Sequence, residues 1–412
     1  MIHTLPIVVI GGGAAGFFGA ITCKQANPSK RVILLEKTEQ LLAKVRISGG
    51  GRCNVTHSCF DPALLIKNYP RGGKELLGPF HRFQVRDTID WFQARGVELK
   101  TEPDGRMFPV TDSSETIINC LMQEAKDVGV EILTGVGVEG LGLQKNASGF
   151  SLTLSQKEPQ KAPLECAKIL IATGSNRKIM SLVEALGHTI EPLVPSLFTF
   201  NVPTSPLLEL SGIAVESAHL SIEGTQLEQT GPLLVTHWGF SGPAVLKLSA
   251  WGAKELFAAD YKAKLLINWL PKMSLTEIQK TLQKARDDGP TKQITVTCPV
   301  LLPKNLWKKF CALCSINDEM RYQALSNKLI GQLADKLHRD AYQIDGKTTY
   351  KQEFVTCGGT KLSEVNFKTM ESKLVPGLYF AGEVLNIDGI TGGFNFQNAW
   401  TTGYIAGQSL AE

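Results

Sequence analysis

The feature that most constrains this chain is a short apolar segment that runs directly into glycines. Ile7 to Ile10 is continuously apolar, which is typical of a parallel strand buried on both faces. The next residues form G-x-G-x-x-G through Gly11, Gly13 and Gly16, and Phe17 to Gln25 continues as a helix. The first glycine permits a tight turn, the second lets a pyrophosphate touch the backbone, and the third lets the helix approach the strand. The pattern therefore predicts a helix whose free N–H groups bind phosphates.

A second strand and an acidic residue follow at the spacing that a dinucleotide site requires. Arg31 to Leu35 is the predicted strand, and Glu36 ends it twenty residues after Gly16. A carboxylate at this point accepts hydrogen bonds from ribose hydroxyls and repels a 2′-phosphate. The order strand, helix, strand predicts an α/β fold of Rossmann type with a parallel central sheet.

Three later segments indicate that the ligand is long. Gly49 to Gly51 precede Arg52, which could neutralise a phosphate, and Cys53 and Asn54, which could face a ring. A strand in AKILIATGS ends in Thr-Gly, and a strand in PGLYFAGE ends in Gly-Glu before a glycine-rich loop that opens a helix. The N-terminus of that helix favours an anionic group, such as the N1/O2 edge of a reduced flavin. The first motif is common to nicotinamide and flavin enzymes, and these later segments favour a flavin.

Together the motifs resemble a known bacterial family. The first glycine motif, ISGGGRCN, IATG, THWGFSGPA and LYFAGEVLNIDGITGGFNFQNAWTTG are similar to those of the YhiN/BaiN-like flavoproteins, which are NAD(P)/FAD-dependent oxidoreductases of the glutathione-reductase-like FAD superfamily. The resemblance covers essentially the whole chain. The chain departs from the family pattern at Ser175, where a glycine is common, and at His57, where an asparagine is common.

The resemblance implies a bound FAD and the residues that hold it. The pyrophosphate would lie at the first glycine turn, the adenosine ribose at Glu36, the adenine at the backbone of Val138, the ribityl chain at Gly382 and Glu383, and the isoalloxazine at Gly392 to Asn395. The full set of cofactor-binding candidates is Gly11, Gly12, Gly13, Ala14, Ala15, Gly16, Glu36, Lys37, Gly49, Gly50, Gly51, Arg52, Cys53, Asn54, Val138, Thr173, Gly174, Gly382, Glu383, Gly392, Gly393, Phe394 and Asn395.

The FAD motifs lie at both ends of the chain and skip its middle. We therefore expect residues 1–190 and 346–412 to form one discontinuous FAD-binding domain. The insert is predicted to have two parts, a small β-barrel or sandwich at 191–270 and a helical subdomain at 271–345.

Two residues are candidates for catalysis beside the flavin. His237 could donate a proton or could simply bond loop backbone, and Ser241 after it could cap a helix that begins at Pro243. Cys53 could be a redox thiol, although without a C-x-x-C partner a packing role is favoured. The chain has no second G-x-G-x-x-G that opens a helix, because GVGVEG lies in the strand segment of Val138. We therefore expect NAD(P)H to visit transiently or another donor to reduce the flavin.

The expected reaction is hydride transfer from flavin N5 to an activated carbon–carbon double bond. Family resemblance implies either an unsaturated small molecule or a uridine in ribosomal RNA, which would become dihydrouridine. A third possibility is a non-catalytic FAD-binding adaptor.

Composition limits the setting and the partners. The chain has 412 residues and a formal net charge of +4, with no apolar run long enough to span a membrane and nine scattered cysteines, which favours reduced thiols in a cytoplasm. Cys311 and Cys314 lack a second ligand pair, so we expect no metal, and buried helix cysteines are favoured over a redox dithiol. Lys304, Lys308 and Lys309 could face nucleic acid, but a solvated helix face is favoured. The sequence leaves the oligomeric state open.

Overall fold

The computed structural model describes residues 5–144, 149–155, 162–348 and 355–412. The chain divides into a first unit, Met1–Pro195 with Lys351–Glu412, and a second unit, Ser196–Tyr350. The two boundaries between the units lie about five residues after the predicted boundaries at 190 and 346.

The elements of both units follow in chain order. The strands are β1 (Ile7–Ile10), β2 (Val32–Leu35), β3 (Thr56–His57), β4 (Leu99–Thr101), β5 (Arg106–Pro109), β6 (Glu131–Leu133), β7 (Val138–Leu143), β8 (Phe150–Leu154), β9 (Leu164–Cys166), β10 (Lys168–Ile171), β11 (Ile190–Ser196), β12 (Thr199–Asn201), β13 (Ala214–Ile222), β14 (Glu228–Thr236), β15 (Gly239–Ser241), β16 (Lys262–Asn268), β17 (Asp340–Asp345), β18 (Lys347–Thr348), β19 (Val355–Thr360), β20 (Val365–Asn366), β21 (Glu371–Ser372) and β22 (Leu378–Phe380). The helices are α1 (Ala14–Ala26), α2 (Ala43–Gly51), α3 (Pro62–Leu65), α4 (Gly73–Phe80), α5 (Val85–Gln93), α6 (Ser114–Asp127), α7 (Arg177–Ala185), α8 (Pro243–Trp251), α9 (Ala253–Ala258), α10 (Leu275–Asp288), α11 (Lys304–Leu313), α12 (Asn327–His338) and α13 (Phe394–Ala411).

The main sheet of the first unit confirms the predicted Rossmann-like fold. Its strand order is β20-β21-β22-β10-β1-β2-β6, and the strands from β22 to β6 are parallel. Every residue of β1, β2 and β22 is buried, as expected for strands covered on both faces. Helix α1 follows β1 closely and so begins at the carboxyl edge of this sheet, whereas thirteen residues separate the end of β22 from the start of α13.

Helices α1 and α13 pack side by side through glycines. A Cβ on Gly403 would lie 2.8 Å from the carbonyl oxygen of Ala15, and one on Gly407 would lie 2.5 Å from that of Gly19. Side chains larger than hydrogen would therefore push the helices apart. The two contacts run in the same direction along both helices, so the helices are parallel.

The second unit is an antiparallel sheet covered by helices. Its strand order is β17-β16-β13-β14-β15-β12-β18. Residues from both sides of position 270 share one hydrophobic core, for example Leu220 and Ile267 with Trp307 and Leu333.

This arrangement differs from the predicted two-part insert. The segment 271–345, expected to be helical, ends in β17, which pairs with β16 over Lys262–Asp345 to Ile267–Asp340. The burial of β17 alternates residue by residue, a strand period that DAYQID contains but that the preceding helical pattern obscured. The segment 191–270 likewise contains α8 and α9.

Candidate cofactor site of the first unit

The turn between β1 and α1 is shaped so that only glycine fits at its key positions. Gly11 has φ +112°, and a Cβ there would lie 2.5 Å from the carbonyl oxygen of Ala172. A Cβ on Gly16 would overlap the carbonyl oxygen of Gly11. At Gly13 a Cβ would meet nothing within 4 Å, so the backbone there faces open space. Gly13 is the N-cap of α1 and offers no side chain to its first turn, whose N–H groups, those of Ala14 and Ala15 included, face outward.

Glu36, the predicted adenosine-ribose ligand, fixes this turn. Its Oε2 accepts a hydrogen bond from Gly12 N at 2.9 Å, and its Oε1 accepts from Thr38 N at 3.0 Å. The segment before β7 also lies beside Glu36: Val136 N donates a hydrogen bond to the carbonyl oxygen of Glu36 at 2.9 Å. Val138, two residues later, begins β7 and is buried, and a Cβ on Gly137 would lie 3.5 Å from that of Lys37. The structure therefore brings Glu36, Lys37 and Val138 together.

The second glycine segment leaves helical geometry at the end of α2. Gly49, Gly50 and Gly51 have φ of +58°, +69° and +84°, and the space beside Gly50 and Gly51 is open. Cys53 has φ +62°, unusual for a residue with a side chain, and is fully buried. Burial raises the pKa of the Cys53 thiol to about 12. A thiol that stays protonated is a poor nucleophile, so the geometry favours packing over redox chemistry at Cys53.

Arg52 differs from the expected phosphate contact. Its Nη1 lies 2.6 Å from Glu102 Oε1 and 3.5 Å from Asp112 Oδ1, and its guanidinium lies 4.0 Å above the ring of Phe108. The hydrogen bond that Arg52 donates to Glu102 raises the pKa of the Arg52 guanidinium. Two carboxylates already balance its charge, so the structure gives Arg52 a role in holding the loop against the β4–β5 hairpin.

The Thr-Gly and Gly-Glu segments meet near the start of α1. A Cβ on Gly174, next to Thr173, would lie 3.4 Å from Glu383 Oε2, and a Cβ on Gly382 would lie 3.0 Å from that of Ala15. Gly382 N donates to Thr402 Oγ1 on α13 at 2.9 Å. Glu383 forms an ion pair with Lys44 of α2. Sequence reasoning missed Lys44, which stands five residues before the second glycine segment.

The loop before α13 joins the second glycine segment at the other end of the site. Gly393 is the N-cap of α13 with φ +90°, and a Cβ there would lie 2.5 Å from the carbonyl oxygen of Thr56. With its amide oxygen toward Gly393, Asn54 accepts from Gly393 N at 2.9 Å and donates to Thr56 O at 3.0 Å. Asn395 uses both amide atoms on Gly389, at 2.8 and 2.9 Å. The side chain of Asn395 therefore holds the loop, which leaves backbone groups to face a ligand.

A group of buried residues that sequence reasoning missed supports this loop. The carboxylate of Asp388 is fully buried and forms an ion pair with Arg71, with Nε 2.5 Å from Oδ1. The Tyr69 hydroxyl donates to the carbonyl oxygen of Phe394 at 2.7 Å. Burial raises the pKa of Tyr69 well above its usual value, so it remains a donor. The ring of Phe394 is itself buried between Tyr69 and His57.

The glycine contacts of α1 and α13 fix the distance between the two ends of the site. Ala15 faces Gly403 and Gly19 faces Gly407, so Gly13 is level with Thr401, eight residues beyond the N-cap Gly393. At 1.5 Å per residue the two N-termini are staggered by ~12 Å. A pyrophosphate at α1 and a ring edge at α13 require such a separation. The open glycine cradles and the two staggered N-termini therefore fit an extended FAD.

His237 lies in the second unit, between β14 and β15. Its ring packs edge-on against Trp238, with centroids 4.3 Å apart. Helix α8 begins at Pro243 as predicted, but its N-cap is Gly242 and Ser241 does not cap it. A Cβ on Gly242 would lie 2.9 Å from the carbonyl oxygen of Pro232, so the N-cap position of α8 requires glycine. The catalytic role of His237 stays a prediction.

The remaining candidates of the second unit have structural partners. Cys311 and Cys314 are buried at the end of α11, and burial raises the pKa of Cys311 to about 12, as expected of inert helix cysteines. Lys308 pairs with Asp318 and Lys309 with Glu209, each at 2.7 Å, so the lysine cluster with Lys304 is largely a balanced helix face. In the described ranges, no cluster of His, Cys, Asp or Glu could hold a metal ion, and no helix is long and apolar enough to cross a membrane.

Comparison with known proteins agrees with this geometry. The family described as HI0933-like protein Rossmann domain matches residues 5–409. A ribosomal RNA dihydrouridine synthase of Escherichia coli is 32% identical over 415 residues, which cover 98% of this chain and 97% of the relative. A 3-dehydro-bile acid delta(4,6)-reductase of Clostridium scindens is 29% identical over 411 residues, with 98% and 99% covered.

Solved structures share the fold at low identity. The 3-ketosteroid-delta4-(5alpha)-dehydrogenase of Rhodococcus jostii has a TM-score of 0.52 at 14% identity, covering all of this chain and 97% of that one. A flavocytochrome c3 fumarate reductase has a TM-score of 0.51 at 15% identity, covering all of this chain and 78% of that one. The predicted family and enzyme class are both confirmed: the chain belongs to the HI0933-like family and is an FAD-dependent oxidoreductase.

Proposed function

We propose that this protein uses FAD to reduce a carbon–carbon double bond conjugated to a carbonyl group, with electrons from NAD(P)H. The observation that carries the proposal is the ~12 Å stagger of two glycine-begun helices, which suits a pyrophosphate at one N-terminus and a flavin at the other. Bound there, FAD supplies hydride transfer from N5.

The two relatives that match the whole chain suggest the substrate class. One is named for reducing the delta(4,6) bonds of a 3-dehydro-bile acid and the other for making dihydrouridine in ribosomal RNA. Both products arise when a double bond beside a carbonyl is saturated, by a hydride at the far carbon and a proton at the near carbon. We therefore infer an enone or an equivalent pyrimidine as substrate.

The chain's own residues have defined tasks in this reaction. The first turns of α1 and α13 offer N–H groups to negative charge, because Gly13 and Gly393 bring no capping side chain. Glu36 binds a ribose and holds Gly12 in place. Asn54, Tyr69 and the Arg71–Asp388 pair keep the loop at the ring in one conformation. Such preorganised donors are a main source of rate enhancement.

NAD(P)H is proposed as a transient visitor, because α1 is the only helix of the described residues that follows a G-x-G-x-x-G. The second match, Gly135 to Gly140, leads into strand β7. Mixing the holoprotein with NADH or NADPH in a stopped-flow instrument should bleach the flavin at a rate that rises with nicotinamide concentration over a micromolar to millimolar range. A complex of nanomolar affinity would contradict transient binding, and no bleaching with either nucleotide would contradict the donor.

A uridine of ribosomal RNA is the second candidate, favoured by the 32% identity to the Escherichia coli synthase. Reoxidation of the reduced flavin by ribosomal RNA lacking dihydrouridine is compared with reoxidation by a steroidal enone. If RNA is the substrate, its affinity should fall steeply with salt because phosphate contacts release counterions. Mass analysis of ribosomal RNA nucleosides after gene deletion provides the cellular test: unchanged dihydrouridine would exclude this candidate.

His237 is proposed as the proton donor to the substrate. His237→Asn should slow flavin reoxidation by substrate about tenfold to a hundredfold, the range expected for loss of a general acid, while FAD content and the bleaching rate stay unchanged. The matched control is His219→Asn, on the exposed β13–β14 hairpin of the same unit. Equal reoxidation in both variants would exclude His237.

A further inference from the structure

His57 lies at the loop that opens α13. Its ring stacks on Phe394, the first residue of that helix, with centroids 4.7 Å apart and planes 22° apart. A Cβ on Gly392 would lie 3.5 Å from His57 Cδ2. The imidazole therefore packs against the same loop, Gly392 to Phe394, that is proposed to meet the flavin ring.

The position of the ring fixes which nitrogen carries its proton. Nε2 of His57 lies 3.2 Å from the carbonyl oxygen of Asp104. A carbonyl oxygen only accepts, so Nε2 must be the donor, and any second proton has to add at Nδ1. A Cβ on Gly105 would lie 2.5 Å from His57 Cε1, so the turn between β4 and β5 closes over this edge of the ring.

The charges that face His57 are largely balanced. Its cross-strand partner on β5 is Arg106, whose guanidinium bonds Asp104 at 2.7 Å and Glu102 at 3.0 Å. In the loop after β3, burial raises the pKa of Cys59, and burial also keeps the pKa of Tyr69 high, so both are neutral at pH 7. Helix α13 contains no charged residue. The His57 ring stacks on the first residue of α13, and the positive N-terminal end of that helix disfavours a second positive charge on the ring.

From this arrangement we propose that His57 is a redox-linked proton site: it is neutral while the flavin is oxidised and takes up a proton at Nδ1 when the flavin is reduced. Two electrons from a reductant and one solvent proton leave the flavin with one negative charge. That charge offsets the positive end of α13, and a second solvent proton then adds to His57. The inference rests on the proposed placement of the flavin ring but requires no substrate.

Such a site would keep a proton beside the reduced flavin. A hydride and a proton would then both be held in the first unit before the substrate binds. This role is specific to a chain with histidine at this position, because an asparagine amide does not take up a proton near neutral pH.

The test is the reduction potential of the FAD-loaded protein between pH 5 and 9, measured by dithionite titration with a reference dye. The potential falls twice as steeply with pH where two protons accompany two electrons as where one does. The wild type should show the steeper slope over part of this range, and His57→Asn should show the shallow slope throughout it. The matched control His81→Asn, at the exposed end of α4, should behave as wild type.

A second measurement locates the proton. ¹⁵N-histidine NMR of the wild type should show one imidazole, absent in His57→Asn, that changes from neutral to protonated on reduction at pH 7. If His57→Asn lost FAD, His57→Gln would replace it. A steep slope retained in the His57 variant would place the second proton on the flavin and overturn the inference, as would an unchanged imidazole signal. Neither result depends on turnover, so the proposed function would stand or fall separately.

Discussion

Two pairs of helices in this molecule begin differently. Helices α10 and α12 start with Ser274 and Ser326, whose hydroxyls accept hydrogen bonds from the first turn. Helices α1 and α13 start with Gly13 and Gly393, and no side chain bonds their first turns. A serine cap satisfies the helix from within, whereas a glycine cap leaves the N–H groups for a ligand. For these four helices, the proposed function makes the serine-capped starts structural and the glycine-capped starts cofactor-binding.

The largest expected effect concerns the buried pair that holds the start of α13. Asp388→Ala should lower the free energy of unfolding by about 3–5 kcal/mol, because it leaves the Arg71 guanidinium buried without its carboxylate. Chemical denaturation of the apoprotein measures this. The double variant Arg71→Met/Asp388→Leu should recover much of the loss, and a double variant as unstable as the single one would show that the pair does more than balance charge.

The second-largest expected effect is a loss of cofactor affinity when a Cβ is added at the glycine cap of α13. Gly393→Ala places a side chain at φ +90° and 2.5 Å from a carbonyl oxygen, so we expect FAD affinity to fall about tenfold or more. Gly331→Ala in α12 is the control, because a Cβ there meets nothing. The control should gain roughly 0.5–1 kcal/mol of stability and keep its FAD. Equal FAD affinity in the two variants would refute the binding role of the glycine cap.

Removing a serine cap should cost stability and nothing else. Ser326→Ala deletes the acceptor for Leu329 N and should lower the free energy of unfolding by about 1 kcal/mol. FAD affinity and the bleaching rate with NAD(P)H should match those of the wild type. Loss of flavin from this variant would contradict the prediction that the serine cap affects stability alone.

The smallest effect is a pH dependence at a buried histidine of the first unit. Burial lowers the pKa of His188, so the folded protein holds fewer protons there than the unfolded chain. Its contribution to stability is present above pH ~6.5 and is lost as the pH falls through the lowered pKa. The free energy of unfolding should therefore decline less between pH 7 and 5 in His188→Gln than in the wild type. Parallel declines would exclude His188 as the cause.

The sequence predicted the parts of the site that are glycine turns and missed the parts that support them. Gly11, Gly13 and Gly16 could be predicted from the sequence, because the turn excludes side chains at positions with a fixed spacing along the chain. Lys44, Tyr69, Arg71 and Asp388 are not, because their roles arise from contacts between segments hundreds of residues apart.

The same reasoning explains why the partners of Arg52 and the strand pairing of the insert were not foreseen. A lone arginine after glycines suits a phosphate, but its charge is balanced by Glu102 and Asp112 on a hairpin whose position no local pattern specifies. The alternation in β17 is local, yet its pairing with β16 is set across more than seventy residues. Patterns predict elements well, and pairing partners come from the tertiary fold.

The glycine contacts between α1 and α13 also make the site respond to ligand length. Two anchor points held rigidly with an axial stagger of ~12 Å behave as a two-point clamp. ADP and riboflavin should each bind weakly as separate halves. Joining them in FAD converts the second contact into an intramolecular one, so affinity rises far above that of either half without any new contact.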